Sequence, residues 1–462
     1  MRGFYDGAGG DGTPFATVGA GRHHRLVPAS PASPAPAPAP EPASSSSPAS
    51  SPAPVPGAIA PGELIAYLAD LGGALLSYGC ATHRLERLLA EIALMEGYVA
   101  EAFAVPTGLF LSLVGPGIDQ PLVRMHRVKD WATDLMRLSS LDALFNDVLA
   151  RRVTLAQARR VLDEIEARPP LYPRILGVLA STGTAGAAAV FFRGGRVEIA
   201  VAALGGLLVG LVRLWLGRRY RTALLGDFIG AVIAAGLAWA ACALAPDAAR
   251  EVMVLAVVIL LVPGMALTTG LQELVHKNLV SGAAKLMETL VIFLSIVFGI
   301  AVMVALEGLL GASLRPAPPL GEPGIVANAI ALLVASAGFC VLFQVPRRLV
   351  PGAMLSGGVG WVVTALGVRH LPGSLSAFTA AFSVAVLANG VARLTRRPAQ
   401  VFLLPGLVLL VPGSFGFISL EAFLRGDFLP GAAKGFEMFL TASAIVIGLV
   451  AADVVLPARK FL

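Results

Sequence analysis

The chain has 462 residues, of which 56% are hydrophobic and only 14% charged, with a mean hydropathy of +0.77. A soluble globular chain carries about 25% charged residues, so a soluble enzyme or binding module is excluded as the class of the whole chain. The formal net charge of +6 does not point to nucleic acid, because much of the excess sits in short loops between apolar runs of about 20 residues, the length that crosses a bilayer core.

Residues 1–61 read as a disordered tail. From Pro28 to Pro61 the chain is almost entirely Pro, Ala and Ser, with too little apolar surface to offset the entropy of ordering. The tail also lacks the apolar stretch of a signal peptide. Gly7-Ala8-Gly9-Gly10-Asp11-Gly12 matches G-x-G-x-x-G, but that motif binds a nucleotide only between a strand and a helix, and neither flank qualifies.

Residues 62–170 read as a small α+β domain. Leu64, Leu68, Leu71, Leu75 and Tyr78 recur at helical spacing, as do Leu85, Leu88, Leu89, Ile92 and Met95. Two β-rich stretches, Tyr98 to Val105 and Leu109 to Val114, flank the turn Pro106-Thr107-Gly108, and Leu122 to Val128 fits a third strand. Two helices follow. The second opens with Thr154-Leu155-Ala156-Gln157, a capping box, and carries Arg159–Asp163 and Arg160–Glu164 pairs at i,i+4. Pro169-Pro170 ends it. No G-x-S-x-G, H-E-x-x-H or Cys/His constellation occurs in this domain, so it reads as a regulatory or gating element and the chain as no enzyme. Cys80, Cys242 and Cys340 are far apart, which gives neither a disulfide framework nor a metal site. No cofactor is expected.

Ten apolar spans follow, at about 171–192, 197–216, 222–245, 251–270, 282–310, 324–345, 350–369, 373–394, 400–418 and 432–456. With the α+β domain in the cytoplasm, the inner loops hold twelve Lys and Arg and the outer loops seven. That bias places both termini inside.

The chain also repeats itself. Leu261-Val262-Pro263-Gly264 recurs as Leu410-Val411-Pro412-Gly413, and Gly282-Ala283-Ala284-Lys285 as Gly431-Ala432-Ala433-Lys434. Glu288 and Glu437, Ile296 and Ile445, and Gly299 and Gly448 share the same offset of 149 residues. The first repeat spans 171–310 and the second 324–462, with a linker at 311–323. Five spans is an odd number, so the second half enters the membrane upside down, as in many secondary transporters. The expected fold is an all-α polytopic protein with a 5+5 inverted repeat, preceded by the α+β domain and the tail.

Substrate sites in such folds lie where matching segments are broken by Pro and Gly, here at Pro263-Gly264 and Pro412-Gly413. Thr268, Thr269 and Ser414 follow at once, with Gln272 and Glu273 one turn beyond the threonines. Together these offer acceptors for an ammonium group and donors for a carboxylate. The alternative is a Pro-kinked helix with packing threonines. Ionisable residues inside spans are costly. Glu288 and Glu437 each follow a lysine, Lys285 or Lys434, by three residues, which suits a gate, a proton carrier or an interfacial pair with a snorkelling lysine. Asp227 is a further candidate near a span end, and Asn328 and Asn389 suit bridges between helices.

The stretch LVPGMALTTGLQELVHKNLVSGAAKLMETLVIFLSIVFGIAV resembles the core of the threonine/serine exporter family. The upstream GCATHRLERLLAEIALMEGYVAEAFAVPTGLFLSL resembles that family's cytosolic domain, with Gly79, Thr82, Arg84, Glu86, Pro106, Thr107 and Gly108 on its pattern. One departure is Lys285-Leu286, where the family's G-x-x-R-L element has Arg. The resemblance covers about residues 65–456. It implies ten spans in the cytoplasmic membrane, contact with lipid, and export of threonine and serine coupled to protons, and it leaves a homo-oligomer open. A channel for another small polar metabolite, or a membrane sensor with a cytosolic regulatory domain, is the alternative.

Overall fold

The computed structural model describes residues 60–129, 132–219, 223–309 and 321–458. The expected tail up to residue 59 and most of the linker lie outside these residues, as do Arg221, Arg315, Arg459 and Lys460 of the expected loops.

The α+β region is built from α1 (Pro61–Ser77), α2 (Thr82–Met95), β1 (Val99–Val105), β2 (Gly108–Val114), β3 (Leu122–Arg127), α3 (Leu135–Leu149) and α4 (Leu155–Ala167). The strands form one antiparallel sheet in the order β1-β2-β3, with Phe103 opposite Phe110 and Phe110 opposite Met125. Leu64, Leu68, Leu71 and Leu75 of α1 are buried with Leu109, Leu111 and Leu113 of β2, which is the face the alternating pattern predicts. The Thr154 capping box is present at the start of α4. Arg159, however, pairs with Asp70 of α1 at 3.2 Å, because α4 lies against α1 and that carboxylate is within reach across the helices.

Eight described helices are long and apolar enough to cross a bilayer. They are α5 (Arg174–Phe191), α6 (Arg196–Arg219), α7 (Ala223–Leu244), α10 (Leu279–Leu309), α11 (Ile325–Leu342), α12 (Val350–His370), α13 (Gly373–Thr395) and α16 (Phe428–Val455). The chain is a multi-pass membrane protein. Large apolar side chains on the outer flank of α10, such as Leu294 and Phe298, are exposed, as expected where lipid replaces water. The fourth and ninth expected spans are each two short helices: α8 (Arg250–Val258) with α9 (Gly264–Val275), and α14 (Gln400–Leu407) with α15 (Gly413–Leu424). Pro263 and Pro412 stand at the N-caps of α9 and α15. Neither has an N–H to return to the turn before it, so each helix ends and a new one begins.

The α5–α10 order recurs as α11–α16, and so do the packing partners. Helix α7 packs on α10 as α13 does on α16, and α9 on α10 as α15 on α16. Close approaches recur too. A Cβ on Gly299 would lie 2.7 Å from Phe228 O, and one on Gly448 2.7 Å from Phe378 O. Between the halves, α9 touches α16 while α15 touches α10, and α5 packs against α11.

Each broken pair runs from one end of the bundle to the other. Arg250 at the start of α8 makes two 2.8 Å hydrogen bonds to Glu307 near the end of α10. Glu273 near the end of α9 meets Lys285 near the start of α10 at 3.2 Å. Those two points on α10 are 22 residues apart, about 33 Å along a helix. The α14–α15 pair runs the other way. Gln400 and Leu403 of α14 share a cavity with Glu273 and with Thr82 of α2, whereas Arg425, which caps α15, pairs with Glu251 of α8 at 3.0 Å.

The two breaks pack on each other. A Cβ on Gly264 would overlap Val411 Cγ1, and one on Gly413 would overlap Val262 Cγ1. Gly264→Ala and Gly413→Ala should therefore each destabilise the folded protein by about 1–3 kcal/mol through overpacking. Thermal melts in detergent check this. Val411→Ala is expected to restore most of the loss in Gly264→Ala, and Val262→Ala most of the loss in Gly413→Ala. Melting points indifferent to either glycine would sink this account of the crossing.

Candidate functional site

Below the crossing, on the side of the α+β region, lies a cavity of about 290 Å³. Thr269, Gln272 and Glu273 of α9 line it together with Lys285 and Glu288 of α10 and Gln400 of α14. The spacing of Thr269, Gln272 and Glu273 places all three on one flank of α9. The α+β region supplies another wall through Cys80, Thr82, Arg84, Pro106 and Thr133, and Met265, Leu403 and Leu407 of the bundle also line it.

Glu273 is the centre of this arrangement. It is buried, and its carboxylate accepts the Thr82 amide at 2.9 Å, the Thr82 hydroxyl at 2.6 Å and Lys285 Nζ at 3.2 Å. Ala81, the N-cap of α2, has no side-chain hydrogen bond to offer. A helix start leaves free amides and a partial positive charge, and here a carboxylate 191 residues away in sequence supplies the cap. Asn278 donates to Thr82 Oγ1 at 2.7 Å. His83 Nδ1 lies 3.5 Å from Glu273, and its ring stacks on His276 with centroids 3.9 Å apart and planes 5° from parallel. Burial lowers the His83 pKa from its ordinary value, opposed by the nearby Glu273 carboxylate. Burial likewise pushes the Cys80 thiol up to about 12, so it is no nucleophile near neutral pH.

A second, more open cleft of about 690 Å³ lies outside this latch. His83, Arg84, Glu86, Arg87, His276 and Asp453 line it. His83 and Arg84 border both spaces, so they stand at the doorway between them. Asp453 is held by Asn389, which donates to its Oδ1 at 2.9 Å and to Leu456 O at 2.9 Å. Asn389 thus bridges α13 and α16, as its position predicts. Asn328 instead donates to Pro323 O at 3.1 Å, within its own helix start.

The sequence candidates separate into three groups. Pro263, Gly264, Pro412 and Gly413 form the crossing. Thr269, Gln272, Glu273, Lys285 and Glu288 meet in the cavity. Thr268 does not: it is fully buried, and its hydroxyl donates to Gly264 O at 3.1 Å. Ser414 borders a different cavity, also about 290 Å³, with Thr184, Asn328, Phe339, Trp361 and Ile259. Lys285 makes an ion pair with Glu273 at 3.2 Å, and Lys434 and Glu437 pair at 2.8 Å, half-exposed. Asp227 is buried and pairs with Arg213 of α6 at 3.2 Å, away from the cavity. Sequence reasoning about the spans did not find Thr82, Arg84 or Gln400. Thr82 and Arg84 lay inside the segment that carries the family resemblance, which was the available signal.

A family model for threonine/serine exporters matches residues 66–307, and a second, described as Threonine/Serine exporter, ThrE, matches residues 328–455. Among curated proteins, the chain is 28% identical over 355 residues to a Mycobacterium tuberculosis protein named probable threonine/serine exporter, covering 74% of this chain and 66% of that protein. It is 24% identical over 391 residues to the threonine/serine exporter of Corynebacterium glutamicum, covering 83% of this chain and 80% of the relative. Pheromone-regulated membrane protein 10 of Saccharomyces cerevisiae is 24% identical over 364 residues, 76% of this chain and 46% of that protein. The chain therefore spans less than two thirds of the length of some of these relatives. No solved structure matches. With both halves of the bundle and the α+β region matched, the chain belongs to the threonine/serine exporter family.

Proposed function

We propose that the protein exports threonine and serine across the cytoplasmic membrane, coupled to the proton gradient. In this reading residues 62–170 are a cytosolic domain, both termini are cytosolic, and residues 171–310 and 324–462 are inverted five-span repeats. The observation that carries the reading is the cavity at the crossing. It brings a hydroxyl, an amide, two carboxylates and an ammonium together beside a helix break, and such a set suits a small zwitterion with a polar side chain. The enclosing wall from the α+β region supports a gated carrier over an open channel or a sensor.

Ten crossings and inversion draw support from the opposite directions of α8–α9 and α14–α15. A single cysteine at His276 should react with an impermeant thiol reagent only from the cytosolic side, and one at Arg425 only from the outside. Cys80, Cys242 and Cys340 are buried, so the background is low. Labelling of both positions from one side would overturn the topology.

For the substrate, Thr269→Val removes the hydroxyl of a residue that lines the cavity, one that also donates to Ala266 O at 3.3 Å. A several-fold rise in apparent KM for threonine efflux is expected, the scale of a hydrogen bond worth about 0.5–1.5 kcal/mol net. Thr268→Val removes a hydroxyl that is fully buried away from the cavity and should leave KM unchanged. Equal effects from the two would move the site elsewhere.

Glu288 is the proton-carrier candidate, since it borders the cavity, while the half-exposed Lys434–Glu437 pair fits an interfacial contact. Glu288→Gln keeps the volume but cannot exchange a proton. Gradient-driven efflux should fall while threonine/threonine exchange persists, and Glu437→Gln should retain both. In proteoliposomes with an imposed pH gradient, intact driven efflux by Glu288→Gln would remove Glu288 from the coupling.

A further inference from the structure

A zwitterion in the cavity needs a cation for its carboxylate as well as carboxylates for its ammonium. Three basic side chains border the cavity: His83, Arg84 and Lys285. Lys285 is held by Glu273 at 3.2 Å. His83 is stacked on His276 and buried, which disfavours its charged form. An arginine guanidinium is a permanent cation, which leaves Arg84. It is largely buried, with a side-chain exposure of 16%, and the Asp453 carboxylate stands 3.9 Å away. That separation is beyond hydrogen-bonding distance. Among the described residues no hydrogen bond holds this guanidinium, so its donors are available to a ligand in the cleft and the cavity that it borders.

We infer that Arg84 of the α+β region binds the carboxylate of the transported amino acid, so that this region forms part of the substrate site rather than only a cap over it. The inference rests on the cavity reading above. Its planar fork matches a carboxylate bidentately. Its position bordering both the outer cleft and the inner cavity lets it meet the carboxylate before the latch and keep it afterwards. The ammonium then faces Glu273 and Glu288, and the side-chain hydroxyl faces Thr269 and Gln272. Specificity would follow: a compound with the amine and hydroxyl but no carboxylate leaves Arg84 unsatisfied.

The test compares serine with ethanolamine, which is serine without its carboxylate, by equilibrium binding to purified full-length protein in lipid nanodiscs. Wild type should prefer serine. Arg84→Gln should weaken serine by about ten- to hundredfold, the range for a hydrogen-bonded charge, and leave ethanolamine unchanged, so the preference disappears. Arg84→Lys keeps the charge without the fork and should fall between. It also serves if the glutamine variant melts below the assay temperature. Arg84→Gln weakening both compounds alike would show a packing role and overturn the proposal, as would undiminished serine binding. Gln272→Leu in the same assay separates the two levels. If it weakens serine while the Arg84 variants do not, only the Arg84 assignment fails. If neither has any effect, the cavity itself is not the site.

Discussion

The arrangement depends on two helix breaks that touch. Pro263 and Pro412 each deny a hydrogen bond to the preceding turn, and the glycine after each carries no side chain to hold the chains apart. A Cβ on Gly264 would lie 3.8 Å from Gly413 Cα, in ordinary contact with the opposing backbone. Valines from the opposite break fill the flanks. The bundle thus contains, at membrane depth, a place where main chain meets main chain and helical hydrogen bonds stop. Irregular backbone survives there only because protein or a water-filled cavity surrounds it. Both cavities beside the crossing border the break segments, with Leu407 on the wall of one and Val408 on the wall of the other.

From that constraint the role of Glu273 follows. Helix α9 begins at the crossing and ends against the α+β region, and its last turn brings a carboxylate to the bare start of α2. A buried carboxylate is tolerable only when paired and hydrogen-bonded. Here the Thr82 amide, the Thr82 hydroxyl and Lys285 divide its lone pairs between α2 of the α+β region and α10. A change in the tilt of α9 would therefore be felt at Thr82, and a shift of α2 would strip Glu273 of its Thr82 donors. The latch couples the α+β region to a helix that begins at the crossing.

The fold was legible where its cause is local. Period, turn residues and the Thr154 capping box located the α+β elements, and two ungapped tetrapeptides at one offset located both breaks. What the sequence could not show depends on through-space partners. Lys285 had a carboxylate three residues ahead, and nothing local favours Glu273, twelve residues behind it. Arg159 had Asp163 one turn ahead and instead reaches Asp70 on α1. Thr268 and Thr269 looked equivalent in sequence, yet adjacent helical residues point about 100° apart, and only Thr269 borders the cavity. Ser414 occupies the position that corresponds to Met265 in the first half, but its cavity lies on the other side of the crossing.

The asymmetry between the halves carries the last step. The residues matching Gln272 and Glu273 at the 149-residue offset are Glu421 and Ala422. On the far side, the α15 end is held by Arg425 with Glu421 at 2.8 Å and Glu251 at 3.0 Å, charges that belong to the bundle itself. On the near side, the corresponding end of α9 is held by the α+β region through Thr82. The ends of α9 and α15 are therefore fastened by different means: α15 by an ion-pair cluster among the bundle's own helices, α9 by a helix start of the α+β region. A duplicated bundle alone would have no preferred direction. The α+β region breaks that equivalence, because on its side the cavity wall includes groups from outside the two halves.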